Sequence, residues 1–88
     1  MPTRTATIAA ASGLHARPAA MFVQAAAKSG LAVTIGRPGQ PAVDARSILS
    51  VMGLGVKHGD VVELSAEGEG ADAVLDALVA SLESDPEA

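Results

Sequence analysis

The chain has 88 residues, 49% hydrophobic but only 1% aromatic, and 19 of them are Ala, which suits one domain with a closely packed two-layer core. Ten acidic against six basic residues leave a net charge of −4, opposed to general nucleic-acid binding, which needs clustered Lys and Arg to release counterions. Zero Cys excludes a disulfide scaffold or thiolate zinc site, no apolar run approaches the roughly 20 residues of a membrane span, and Met1-Pro2-Thr3-Arg4 lacks a signal-peptide core, so a soluble, cytoplasmic single domain over 1–88 is expected.

Thr3, Thr5 and Thr7 alternate with Arg4, Ala6 and Ile8, a period-two, β-branched pattern that predicts an opening strand. Ala11-Ser12-Gly13-Leu14 reads as a loop. Pro18 then falls where a first helical turn tolerates a missing N–H, and Ala19, Phe22, Val23, Ala26 and Ala27 carry helical spacing to Lys28. Ser29-Gly30 stops that helix, with Lys28 favourably placed near its negative end. Leu31, Val33 and Ile35 predict a second strand, the residues from Gly36 to Pro41 a turn, and Ala42-Val43-Asp44-Ala45 a short third strand, with Pro41 suited to an edge. Ser47 is positioned to cap a short helix through Ile48, Leu49, Val51 and Met52, stopped by Gly53 and Gly55. Val62, Leu64 and Ala66 alternate with Val61, Glu63 and Ser65 as a fourth strand. Ala71, Val74, Leu75, Leu78 and Leu82 mark one face of a closing helix with Asp72 in its first turn, and residues 84–88 read as a frayed, flexible tail. The order βαββαβα, with strands apolar on one side only, predicts an α+β fold: an open-faced two-layer sandwich, helices on one face of the sheet.

The informative stretch is Ser12-Gly13-Leu14-His15-Ala16-Arg17-Pro18-Ala19-Ala20. His15 lies just before a helix start, where unpartnered N–H groups and the macrodipole favour an anion such as phosphate. Arg17 adds a planar fork of donors two residues on. Dipole and Arg together disfavour imidazolium, so His15 is expected to stay neutral and nucleophilic near pH 7. On local physics alone the bland alternatives stand beside this one: a lone His at a helix start is usually a plain surface residue, and a lone Arg a solvated charge. A hydrolase would need an activated Ser and an orienting acid, and no nucleophile-elbow pattern occurs. A metal would have to join His15 to distant His58 without a local ligand cluster, so no metal site is expected, and His58 reads as a turn residue.

Gly13-Leu14-His15-Ala16-Arg17-Pro18-Ala19 resembles the active-site motif of the HPr family, the histidine-containing phosphocarriers of the bacterial phosphotransferase system. Arg46-Ser47-Ile48-Leu49-Ser50-Val51-Met52-Gly53-Leu54-Gly55 is similar to that family's regulatory-serine segment, Ser65-Ala66-Glu67-Gly68 also matches, and the resemblance covers nearly the whole chain. It implies the family's four-stranded antiparallel open-faced sandwich. It implies a carrier, neither a turnover enzyme nor a passive adaptor, that takes a phosphoryl group on Nδ1 of His15 from enzyme I, which obtains it from phosphoenolpyruvate, and passes it to sugar-specific enzyme IIA domains. Arg17 then matches the arginine that assists transfer. Ser12, Ala16 and Arg17 match the phosphoryl-binding positions, Ala16 and Arg17 through backbone donors, and no cofactor is implied. Since phosphoryl transfer rests on positioning and electrostatics, a nucleophile, an anion cradle and a docking surface suffice.

For docking, Leu14 and Ala20 match partner-contacting positions, and Ile48, Leu49 and Met52 form an apolar patch. A six-residue helix cannot bury all three of the latter, and Leu49 is the one expected in the core. Ser47 is the expected regulatory phosphorylation site, which would call for a serine kinase/phosphorylase and a transcriptional regulator as further partners. Two departures from the family pattern stand out: the segment between the first helix and Ser47 is one residue longer, with two prolines in its turn, and Gln24 and Ala27 replace lysines of some relatives, weakening electrostatic steering. The rival readings are a regulatory protein of the same fold acting through Ser47, a nitrogen-branch phosphotransfer paralogue, and an unrelated small-ligand domain. The presence of both His15 and Arg17 favours the carrier, and a transiently docking carrier is most simply a monomer.

Overall fold

The computed structural model describes residues 2–11, 13–14 and 16–84, Ala16 by its backbone alone. Seven elements follow one another: β1 (Thr3–Thr7), α1 (Ala16–Lys28), β2 (Ala32–Gly36), β3 (Val43–Asp44), α2 (Ile48–Gly53), β4 (Val61–Glu67) and α3 (Ala71–Glu83). The strands form one sheet in the order β1-β4-β2-β3, antiparallel throughout, with β4 central: Thr3 opposes Ser65, and Ala32 opposes Glu67. The expected open-faced α+β sandwich is therefore the observed fold.

The period-two pattern sorts the sheet's faces. Ala6, Val33, Ile35, Val62, Leu64 and Ala66 are buried in the core, whereas Thr3, Thr5, Thr7 and Glu63 stay exposed on the alternate positions. Against the apolar face lie Phe22 of α1, Val51 of α2 and Leu75, Leu78 and Leu82 of α3. The alanine-rich composition has a visible use: Ala19 and Ala26 of α1 are wholly buried, where a side chain with no rotamers loses nothing on ordering. Arg4 reaches from β1 to α3, donating to Asp72 at 2.9 Å and Asp76 at 3.1 Å.

Element ends differ from the sequence reading in small ways. β1 stops at Thr7, although Ile8 just beyond it is buried. α1 begins at Ala16, so Pro18 is its third residue and still lies among the N–H groups without an intrahelical acceptor. β3 is only two residues long, and pairing is prolonged by Ala45 N–H donating to Val33 O at 2.9 Å. The helix stop at Ser29-Gly30 is as expected: Ser29 Oγ donates to Ala26 O at 2.6 Å, and Gly30 takes a φ of 75°. Of the expected tail, Ser84 ends α3, and 85–88 lie outside the described residues. No described helix is long and apolar enough to cross a membrane.

Candidate functional site

The site is built where β1 hands over to α1. Past β1, Ile8 N–H donates to Asp60 O at 2.9 Å, Gly59 N–H to Ile8 O at 2.8 Å and Ala9 N–H to Leu82 O at 3.0 Å, which pin the departing chain to the turn before β4 and to α3. A tight turn follows, closed by Gly13 N–H on Ala10 O at 2.9 Å. Gly13 has φ of 77°, and a Cβ there would meet Val56 O at 2.5 Å and Lys57 Cα at 2.8 Å, so the turn needs glycine for both conformation and space. Leu14 N–H then donates to Val56 O at 3.1 Å. The backbone is thus anchored immediately before position 15, and α1 begins immediately after it.

His15 and Ser12 themselves lie outside the described residues. Ala16 and Arg17 are the first two residues of α1, where N–H groups have no acceptor one turn back. Arg17 is exposed, and among the described residues it has neither a hydrogen-bond nor an ion-pair partner. Pro18 and Ala19 behind it are buried and fix the helix to the core.

Two expectations about exposure, one for the docking residue Leu14 and one for Leu49 as a core residue, need correction. Leu14 is only 2% exposed and belongs to the core together with Val56, because its N–H is tied to Val56 O and the side chain turns inward. It gives the loop a buried anchor, not a contact surface. Leu49, expected in the core, is 82% exposed, and Val51 is the wholly buried residue of α2. At about 100° per residue, Val51 lies roughly 200° round from Leu49, so burying one turns the other outward. Ile48 is exposed, Met52 is half-buried against the core and Ala20 is half-buried on α1. Met21, which the sequence reading passed over, is 46% exposed. Its signal was there: it stands four residues after Arg17 on one helix face.

Ser47 caps α2 as expected, extended at φ −105°, ψ 113°, its Oγ accepting from Ser50 N–H at 3.4 Å. Beside it Asp44 accepts from the Arg46 side chain at 3.1 Å and the Arg46 N–H at 2.9 Å, and the Arg46 guanidinium is the chief reason the Asp44 carboxyl is held below the ordinary range. His58 sits exposed in the turn before β4, Nδ1 3.1 Å from Ala9 O. The proline-bearing turn lies between β2 and β3, and Gln24 and Ala27 are both exposed on α1.

A four-stranded open-faced sandwich whose first helix opens with Ala16-Arg17-Pro18, directly after His15 in the sequence, defines a class, the small histidine phosphocarrier domains. Residues 2–84 match the family model described as "PTS HPr component phosphorylation site". The chain is 50% identical over 86 residues to the phosphocarrier protein HPr of Haloferax volcanii, covering 97% of this chain and 96% of that one. It is 44% identical over 78 residues to HPr of Streptomyces coelicolor, covering 89% and 84%. Among solved structures, the crystal structure of HPr-C-His from Thermoanaerobacter tengcongensis superposes with a TM-score of 0.88 at 44% identity, covering 96% of this chain and 93% of that one. The chain belongs to the HPr phosphocarrier family of the phosphotransferase system.

Proposed function

We propose that this chain accepts a phosphoryl group on Nδ1 of His15 from phosphorylated enzyme I and passes it to enzyme IIA domains. The observation that carries the reading is the doubly anchored lead-in to position 15: Leu14 bonded to Val56 on one side, α1 beginning on the other, and Arg17 exposed with no described partner. In the transfer, the imidazole nitrogen attacks phosphorus as the bond between phosphorus and its donor atom on enzyme I breaks, the bonding pair leaving with that donor. The three phosphoryl oxygens are then met by the N–H groups of Ala16 and Arg17 and by the Arg17 guanidinium. Ser12 completes the cradle. The partner surface is made by Ala20, Met21, Ile48, Leu49 and Met52, and the carrier works as a monomer in the cytoplasm. Ser47 is the place where a serine kinase would act: phosphate there adds roughly −1.5 to −2 charge beside Ile48.

The test is phosphorylation by phosphoenolpyruvate, magnesium and enzyme I. One acid-labile, alkali-stable phosphoryl group is expected on the wild type, none on His15→Ala, and a near-normal amount on His58→Ala. Arg17→Ala slows transfer with the fold intact, and Arg17→Lys recovers it only in part because the fork is lost. Labelling that survives His15→Ala would overturn the reading.

A further inference from the structure

Arg37, just past β2, bonds to both ends of the stretch between α2 and β4. Its guanidinium donates to Gly55 O at 3.0 Å and to Leu54 O at 3.4 Å, and also to Asp60 Oδ2 at 3.3 Å. The first two acceptors belong to the chain leaving α2, where helix-end carbonyls lack intrahelical donors. The third is a carboxylate in the turn before β4, and the same oxygen accepts Lys57 N–H at 2.9 Å. Residues 54–60 are therefore held at both ends by one side chain.

Between those ends lies Val56, 4% exposed. Its carbonyl is the acceptor for Leu14 N–H, and it is the atom nearest to where a Cβ on Gly13 would stand. The backbone leading into His15 rests on this strap with no slack. The Asp60 carboxyl is held below the ordinary range, chiefly by the Lys57 N–H and further by Arg37, so the arrangement is ionised at neutral pH. The side chains of Arg37 and Asp60 remain 40% and 35% exposed, and such a pair contributes little to global stability. Its consequence is geometric: a planar fork bonded to three acceptors on two segments fixes where the strap lies.

We propose that Arg37 and Asp60 are positioning residues for phosphoryl transfer, holding 54–60 so that Val56 sets the placement of the Gly13-Leu14 backbone before His15. The inference rests on the carrier reading of His15. It does not require either side chain to touch the phosphoryl group.

The experiment pairs amide hydrogen exchange with transfer kinetics from phosphorylated enzyme I, on the full chain. In Arg37→Gln the Leu14 amide is expected to exchange roughly tenfold faster, with β4 amides unchanged, as a local opening would give. The maximal transfer rate is expected to fall by about tenfold with the half-saturating concentration unchanged, well short of the ~100-fold that a misplacement of roughly 1 Å can cost. Arg37→Lys restores part of both effects, and Asp60→Asn reproduces both. Unchanged Leu14 exchange, or altered exchange with a wild-type maximal rate, or a change confined to half-saturation, each overturns the inference. A wild type that accepts no phosphate defeats the carrier reading and any role in transfer with it, a result told apart because the exchange measurement needs no enzyme I.

Discussion

The close approach of Gly13 to the 56–57 backbone can be isolated by comparing two glycines. Gly13 and Gly39 have nearly the same positive φ, 77° and 78°, but a Cβ on Gly39 meets nothing within 4 Å while one on Gly13 meets Val56 O at 2.5 Å and Lys57 Cα at 2.8 Å. Gly39→Ala therefore incurs the left-handed strain alone, roughly 1–2 kcal/mol. Gly13→Ala incurs the same strain and must also push two backbone segments apart. That loses the Leu14–Val56 hydrogen bond, worth about 0.5–1.5 kcal/mol, and repacks the buried Leu14 and Val56, at about 1–3 kcal/mol. The total is about 2.5–6.5 kcal/mol, a large part of the ~5–15 kcal/mol that holds a domain folded. Thermal unfolding followed by circular dichroism, with urea titration for the free energies, should place Gly13→Ala about 10–20 °C below Gly39→Ala. Equal midpoints for the two variants would refute the close-approach argument and leave only conformational strain.

The two remaining predictions concern the core and acid stability. Val51→Ala removes a wholly buried side chain and should cost about 2–3 kcal/mol, whereas Leu49→Ala, at an 82% exposed position, should stay within about 0.5 kcal/mol; urea unfolding that ranked them the other way would restore Leu49 to the core. The Asp44 carboxyl, lowered chiefly by Arg46, and the Asp60 carboxyl, lowered chiefly by the Lys57 N–H, both give stability that is present above the ordinary carboxylate pKa and lost as pH falls through their folded values, below about pH 4. Urea midpoints at pH 7 and pH 3 should therefore converge in the Asp44→Asn/Asp60→Asn double variant relative to wild type, and an undiminished acid loss would assign it to other carboxylates.

What could be read from the sequence follows from how local each signal is. Strands β1, β2 and β4 announce themselves because Thr7, Val33 and Val62 sit in strict alternation on a half-buried sheet. Ser47 was legible because a cap needs only its own hydroxyl and the N–H three residues on. Leu49 was not: four apolar residues on a six-residue helix fit more than one rotation, and the choice is made by what Val51 packs against. Leu14 was opaque for a different reason. A single apolar residue in a loop has no period, and its partner Val56 belongs to another loop far along the chain. Arg37 is the extreme case, since its acceptors are two backbone carbonyls and Asp60, and nothing in its neighbours' identity points to them.

The charges carry one further step. Of the six basic residues, three are committed within the fold: Arg4 to Asp72 and Asp76, Arg37 to Asp60 and Arg46 to Asp44. Arg17, Lys28 and Lys57 form no salt bridge among the described residues. Lys28 stands at the far end of α1 from Arg17, and Gln24 and Ala27 add no charge between them. With a net charge of −4, the protein cannot draw an acidic partner from a distance, because steering depends on a coherent field and not on one guanidinium. On the carrier reading, association must then rest on contact, from Met21, Ile48 and Leu49, which are exposed. Arg17 is left to act at short range on the transferred group. On that reading such a division would suit a molecule that has to leave one partner before it can serve the next, since buried area alone does not make binding tight, and Arg17, which has no partner among the described residues, would be kept for the transferred group.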